Sequence, residues 1–182
     1  MIVLESERML FRPHESSDLE AFCAMEQDPD VRRYVGGAPR TREVAEDRFW
    51  NRAMQIVDDR LAMWACVLKA TGDYIGRCGL YANVHGEERI PGEAVLGYYM
   101  RREVWGQGLA TEAARAFVRF GFEELNLNRI VSTVQEGNEP SLHILKKLGF
   151  VVTDYEQGTR SFYKFELKPP SAHTVSAGGA SC

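Results

Sequence analysis

Ala94-Val95-Leu96-Gly97-Tyr98-Tyr99-Met100, followed a few residues later by Trp105-Gly106-Gln107-Gly108-Leu109-Ala110-Thr111-Glu112, is the stretch whose reading decides the fold. The first run is rich in β-formers. After the second, Leu109, Ala113, Ala114, Phe117, Val118, Phe122 and Leu125 recur every three or four residues, the stripe of an amphipathic helix. The order is therefore strand, glycine loop, helix. Residues without bulky side chains at that junction let successive N–H groups turn toward one point, and the helix adds the positive end of its dipole, so a diphosphate can dock without a lysine. The competing reading is an ordinary tight turn between two packed elements. No Gly-x-x-x-x-Gly-Lys-Ser/Thr string occurs, and Gly106-Gln107-Gly108 has Thr111 in place of the third glycine of a dinucleotide fingerprint, so the ligand is expected to be neither a P-loop nucleotide nor NAD.

Working outward, 182 residues suit one domain with a single core. The 22 basic residues against 26 acidic ones are scattered, which disfavours a sequence-independent nucleic-acid binder and suits an enzyme of small or peptide substrates. Cys23, Cys66, Cys78 and Cys182 form no C-x-x-C pair, and the first three sit in apolar patterns, as small core residues in a reduced, cytoplasmic protein do. No apolar run has membrane length, and Met1-Ile2-Val3-Leu4 meets Glu5 at once, so neither a span nor a signal peptide is expected. Histidines 14, 85, 143 and 173 are too dispersed to suggest a metal site.

Upstream of the deciding stretch, Met9-Leu10-Phe11-Arg12 reads as a first strand, and Ser17-Asp18-Leu19-Glu20 as a capping box opening a helix that runs toward Asp28-Pro29. A second helix starts near Thr41, with Ala45, Phe49, Ala53, Met54 and Val57 on its apolar face. Leu61 to Lys69 and Tyr74 to Ala82 read as an antiparallel hairpin turning at Ala70-Thr71-Gly72-Asp73. The polar stretch Asn83 to Glu93, with Gly86, Pro91 and Gly92, reads as a surface loop over a strand end. Downstream, Arg129 to Val134 is a β-branched strand expected to lie parallel to the one before the glycine loop. Asn138-Glu139-Pro140-Ser141 starts a short helix that Gly149 stops. Phe150 to Tyr155 and Ser161 to Leu167 form a closing hairpin. From Pro169 the composition loses what packing requires, so the expected organisation is a domain over 1–168 and a flexible tail over 169–182.

This order of elements and these motifs resemble the GNAT superfamily of acetyl-coenzyme A dependent N-acetyltransferases over about residues 7 to 168. One carrier is the pyrophosphate loop, of the form Arg/Gln-x-x-Gly-x-Gly/Ala in the family and Trp105-Gly106-Gln107-Gly108-Leu109-Ala110 here. Trp105 departs from the Arg/Gln, and with Ala110-Thr111-Glu112-Ala113 it resembles the branch of ribosomal-protein N-terminal acetyltransferases, the RimJ/RimL type. The other carrier is Asn138-Glu139-Pro140-Ser141-Leu142 through Lys147-Leu148-Gly149-Phe150, which matches the family's Asn-x-x-Ser/Ala...Lys-Leu-Gly-Phe segment. The resemblance implies a mixed, mainly antiparallel α/β (α+β) sheet of six or seven strands with one splayed parallel pair and helices on both faces.

It also implies acetyl-CoA as co-substrate, with no metal. Gln107 to Thr111 would give N–H groups to the pyrophosphate, with Trp105 and Gly106 completing the loop. The backbone near Tyr99 and Met100 would hold the pantetheine arm and polarise the acetyl carbonyl, and Asn138 would contact the arm or a water, besides capping its helix. Many members carry a tyrosine in the last helix to protonate the leaving thiolate. Leu145 stands there in this chain, and Ser141 matches the serine of the ribosomal-protein branch as the general acid. The glutamate that this branch often carries before Ile-Gly-Tyr is Val95 here, so Glu93, two residues earlier, is the substitute base, with Glu87 and Glu88 behind it.

An α-amine of pKa ~8 is roughly a tenth neutral at pH 7, whereas a lysine amine near ~10.4 is neutral in about one molecule in two thousand. A chain without a strong base therefore favours a protein or peptide N-terminus as acceptor, by direct transfer in a ternary complex. Two alternatives stand beside it. One is an acetyltransferase of a polyamine, amino acid or antibiotic, for which carboxylates such as Glu87, Glu88 and Glu93 would line the pocket. The other is a non-catalytic acyl-CoA sensor. The resemblance also admits a homodimer, and neither nucleic acid nor membrane is expected as a partner.

Overall fold

The computed structural model describes residues 2–55 and 60–170. Its strands are β1 (Leu4–Glu5), β2 (Met9–Arg12), β3 (Met63–Leu68), β4 (Tyr74–His85), β5 (Glu88–Met100), β6 (Arg129–Gln135), β7 (Val151–Glu156) and β8 (Phe162–Leu167). They form one eight-stranded sheet in the order β1-β2-β3-β4-β5-β6-β8-β7. The helices are α1 (Leu19–Gln27), α2 (Pro29–Arg32), α3 (Arg42–Arg48), α4 (Leu109–Glu123) and α5 (Glu139–Lys147). Eight strands exceed the six or seven expected because the chain before Met9 folds back on itself. Leu4 and Glu5 pair with Phe11 and Leu10 across a turn closed by Ser6 N–H to Met9 O at 3.0 Å. Two residues are too short to show a periodicity.

Helices pack on both faces. On one face, Ala113, Ala114 and Phe117 of α4 lie against Cys78, Leu80, Leu96, Met100, Ile130 and Val134 of the sheet. On the other, Phe22 and Cys23 of α1 and Ala45 of α3, with Phe49 and Ala53 beyond it, cover Ala65 and Tyr74. α3 starts just after Thr41, as expected, and Thr41 caps it, its Oγ1 accepting the Val44 N–H at 3.4 Å. Of the face expected for this helix, Val57 lies outside the described residues, as does the tail from Ser171 on.

Two local expectations are corrected. The capping box falls two residues earlier than Ser17-Glu20: Glu15 N–H donates to Asp18 Oδ2 at 2.8 Å, and the turn Ser16–Asp18 leads into α1. Arg12 fixes that carboxylate by two bonds of 2.7 and 2.8 Å, which makes Asp18 the anchored partner. The stretch Asn83 to Glu93 is strand, not loop. β4 and β5 run out to a tight turn at Gly86-Glu87, pairing His85 with Glu88 and Val84 with Arg89. This end of the hairpin leaves the core, so neither face is buried and the apolar alternation that marks a strand is missing. Pro91 and Gly92 sit inside a bulge, where the register moves from Val84↔Arg89 to Ala82↔Ala94 and a missing N–H costs no rung of the ladder.

β5 and β6 are parallel, as expected, and their pairing stops early. Glu93↔Arg129, Ala94↔Ile130 and Val95↔Val131 are the rungs. Beyond Val95, β5 stays with β4 as far as Gly76↔Met100, while β6 stays with β8 as far as Gln135↔Phe162. The two halves of the sheet therefore part. The Ser132 hydroxyl donates to Leu96 O at 3.1 Å and closes the apex of the V.

Candidate active site

The opening between β5 and β6 continues into a cleft of about 650 Å³. Residues 96–100 of β5 and 132–135 of β6 form its strand walls. The glycine loop closes it along one side, the start of α5 along another, and α2 with the turn after it along a third. Of the residues expected at the site, Tyr99, Met100, Trp105, Gly106, Gly108, Leu109, Ala110, Thr111, Asn138 and Ser141 line the cleft. Glu93 and Gln107 do not.

The glycine loop has the backbone that its sequence requires. Gly106 and Gly108 have φ of +74° and +76°, in the left-handed region where a Cβ is strained. Gly108 is the N-cap of α4, and the first helical bond runs from Glu112 N–H to Gly108 O, so the N–H groups of Leu109, Ala110 and Thr111 precede the helix's own ladder. No heavy atom lies within 4 Å of where a Gly106 Cβ would stand. This is an open cradle of donors with a 15-residue helix behind it. Gln107 faces away: its amide donates to Glu103 O at 3.2 Å, and its carbonyl accepts from Arg8 Nη1 at 3.0 Å. Trp105 ties the loop to the strand, its indole N–H donating to Met100 O at 2.9 Å.

The strand walls refine which backbone groups face the opening. Arg101 N–H donates to Ile75 O in the β4–β5 ladder, so by alternation the N–H and C=O groups of Tyr99 also point to β4. Those of Leu96, Tyr98 and Met100 point toward β6. Tyr99 thus offers its ring to the cleft, and Tyr98 and Met100 offer the backbone.

Tyr98 is the residue that sequence reasoning missed. Its hydroxyl lies 2.7 Å from Ser141 Oγ, an arrangement in which either can donate, and 3.4 Å from the Ser141 carbonyl. Burial lifts the Tyr98 phenol well above the ordinary tyrosine value, with the Ser141 hydrogen bond opposing. Tyr98 therefore keeps its proton across the neutral range. Asn138 caps α5, its Oδ1 accepting Ser141 N–H at 3.4 Å, and this fixes Ser141 in the first turn. The available signal was the β5 alternation, which puts Tyr98 on the face of Leu96 and Met100 toward α4.

Glu93 stands on the paired end of β5. Arg129 Nη2 donates to its carboxylate at 2.8 Å and Asn83 Nδ2 at 2.8 Å. The Arg129 bond is the main reason that its pKa lies below the ordinary glutamate value, with Asn83 adding to the effect. Glu87 and Glu88 are at the hairpin tip, also outside the cleft. Among the described residues that line the cleft, Asp30 is the one carboxylate, and Arg33 and Arg102 hold it at 2.8 and 3.0 Å. No described helix is long and apolar enough to cross a membrane.

Comparison with known proteins agrees with this arrangement. The family profile described as "Acetyltransferase (GNAT) domain" matches residues 8–151. The "Uncharacterized N-acetyltransferase p20" of Bacillus licheniformis is 33% identical over 166 residues, covering 86% of this chain and 89% of that protein. The spermidine N(1)-acetyltransferase of Escherichia coli (strain K12) is 28% identical over 141 residues, covering 78% and 72%. Among solved structures, RimL, a ribosomal L7/L12 alpha-N-protein acetyltransferase in complex with coenzyme A, has the same fold, with a TM-score of 0.77 at 13% identity over 92% of this chain and 98% of that one.

Proposed function

The chain belongs to the GNAT acetyltransferase family, and from that premise we propose that it moves acetyl from acetyl-CoA to the α-amine of a peptide or protein N-terminus, as in the RimJ/RimL branch. Acetyl-CoA dependent N-acetylation is the family's reaction; the acceptor and the residue roles are our reading. The observation that carries the acceptor is the scarcity of free carboxylate in the cleft. A polycation needs a row of negative charge. Here Glu87, Glu88 and Glu93 lie elsewhere, and Asp30 is held by two arginines. An α-amine needs less help, because about a tenth of it is already neutral at pH 7.

The residues present fit acetyl-CoA. In this reading the N–H groups of Leu109, Ala110 and Thr111 receive the pyrophosphate at the end of the α4 dipole. The free edge of β5 at Tyr98 and Met100 pairs with the pantetheine arm and donates to the thioester carbonyl, where negative charge grows during attack. The amine nitrogen bonds to the acyl carbon, the C–S bond breaks, and Ser141 Oγ gives its proton to the sulfur and is reprotonated through Tyr98 or water. The excess proton on the amine leaves to water. The likeness to a spermidine acetyltransferase favours a second reading, a polyamine acceptor, with Asp30 as its anchor.

Mass spectrometry after offering an N-terminal peptide library beside a panel of polyamines and amino acids tests the choice. Acetylated peptide termini are expected. Acetylation of spermidine or of lysine side chains, with the termini untouched, overturns the reading.

A further inference from the structure

We infer that the cleft wall on the α1 side of the sheet is an acceptor subsite whose polar contact is Gln135, and that it takes a primary amine borne on an uncharged group. This inference rests on the N-terminal amine reading and deepens it.

The sheet places the residues. Arg77 of β4 is the cross-strand neighbour of Tyr99, and its guanidinium stands 4.9 Å from the rings of both Tyr99 and Phe22, so Tyr99 is on the face that carries α1. Tyr81 shares that face, and its ring edge comes within 3.2 Å of where a Gly97 Cβ would be. A side chain at position 97 would press on that ring and on the Met63 sulfur, which stands 3.1 Å from the same point. On β6, Ile130 and Val134 enter the core against α4, so by the two-residue alternation Gln135 points to the other side, with Tyr99. Tyr34, after α2, reaches within 4.0 Å of the Cβ position of Gly137, just past the end of β6. Tyr34, Tyr81, Tyr99 and Gln135 all line the cleft.

Gln135 Oε1 is buried and receives no hydrogen bond among the described residues. A buried carbonyl oxygen without a donor is penalised unless a ligand supplies one. The donor that an acetyltransferase brings to this place is the N–H of the acceptor amine. Donation of one amine N–H to Oε1 would fix rotation about the C–N bond and turn the nitrogen lone pair toward the thioester. Gln135 is neutral and takes no proton, so its role is binding and orientation. Around it the walls are aromatic rings, and the carboxylate of Asp30 is paired, so nothing there rewards a second positive charge on the substrate.

The test is steady-state kinetics of the full chain with a peptide of neutral first residue, varying peptide and acetyl-CoA in turn. Gln135→Leu is expected to raise the peptide KM by roughly two- to tenfold, the loss of one hydrogen bond, with the acetyl-CoA KM unchanged from wild type. Gln135→Glu keeps a carboxyl oxygen at the same reach and is expected to restore the peptide KM. A purely structural role would move the melting temperature and both KM values together. If Gln135→Leu does not fold, Gln135→Met is read in its place. An unchanged peptide KM, or an acetyl-CoA KM that rises in step with it, overturns the inference while the N-terminal reading stands. Wild-type turnover of spermidine but of no peptide terminus overturns the N-terminal reading and, with it, the uncharged acceptor.

Discussion

Replacing Tyr98 by Phe removes one oxygen from the cleft and leaves the ring in the β5 wall. That oxygen lies 2.7 Å from Ser141 Oγ. If Ser141 is the proton donor to the departing thiolate, Tyr98 acts through it, by holding Oγ in place and by replacing its proton. A neutral hydrogen bond contributes a net ~0.5–1.5 kcal/mol, which corresponds to a fall in kcat of roughly two- to tenfold. Ser141→Ala removes the donor itself, and general acid catalysis contributes ~10²–10⁴ in rate. The two losses should therefore not add: the double variant is expected to match Ser141→Ala within about twofold. Release of free CoA thiol, followed with a chromogenic disulfide at saturating acceptor, gives kcat for all four enzymes, and the acetyl-CoA KM is measured alongside. An unchanged kcat in Tyr98→Phe, or a double variant slower than Ser141→Ala by the full Tyr98→Phe factor, refutes the relay.

Other consequences can be checked with less effort. At Gly79 an added Cβ would stand 1.8 Å from the backbone oxygen of Ala62, so Gly79→Ala must push the backbone before β3 away, and overpacking of ~1–3 kcal/mol should lower Tm by roughly 2 to 12 °C in a thermal melt. His14 is buried among Phe22, Phe49 and Tyr74, and burial, helped by Arg77, lowers its pKa from 6.5 to about 4. The unfolded chain therefore binds this proton first as pH falls, and stability should drop by up to about 3 kcal/mol between pH 6.5 and 4. His14→Leu, which removes the two unpartnered ring nitrogens, should flatten that slope in denaturant titrations and leave stability at pH 7.5 undiminished. Glu93 has a depressed pKa, so its ion pair with Arg129 acts above the ordinary glutamate value of 4.5 and is lost as pH falls through the lower folded value. Glu93→Gln should cost at most about 1 kcal/mol near neutrality and leave kcat within twofold, whereas a large kcat loss would return Glu93 to the role of base.

What could be read along the chain was what the chain decides locally. The glycines of the loop, the stripe of α4, the Asn138 cap and the β3–β4 hairpin are each set by neighbours a few residues apart, and all appear where the sequence puts them. The parallel β5–β6 pair also follows, because a strand, a helix and a strand impose it, whereas its early end was implied only by the family resemblance. Residues 83–93 were misread for a physical reason: an exposed hairpin arm needs no apolar side chains, so composition makes it look like a loop. Tyr98 and Ser141 are 43 positions apart, and no local pattern signals that two hydroxyls will meet. The same is true of Glu93, whose engagement by Arg129 depends on the parallel register, and of Gln135, whose side depends on which core claims Ile130 and Val134.

The last rung of the parallel ladder, Val95↔Val131, gives the cleft a unit of length. From there to Met100 the free strand runs for five residues, about 17 Å at ~3.3 Å each, before the glycine loop begins. In the proposed reading strand and loop together form a ruler for the pantetheine arm, with the glycine loop at one end and the Tyr98–Ser141 pair partway along it. A thioester on a shorter arm would be held by its phosphates yet stop short of Ser141. The ruler can be lengthened only in steps of two residues, about 7 Å, because a single insertion would turn Tyr98 away from Ser141 and the ring of Tyr99 into the core.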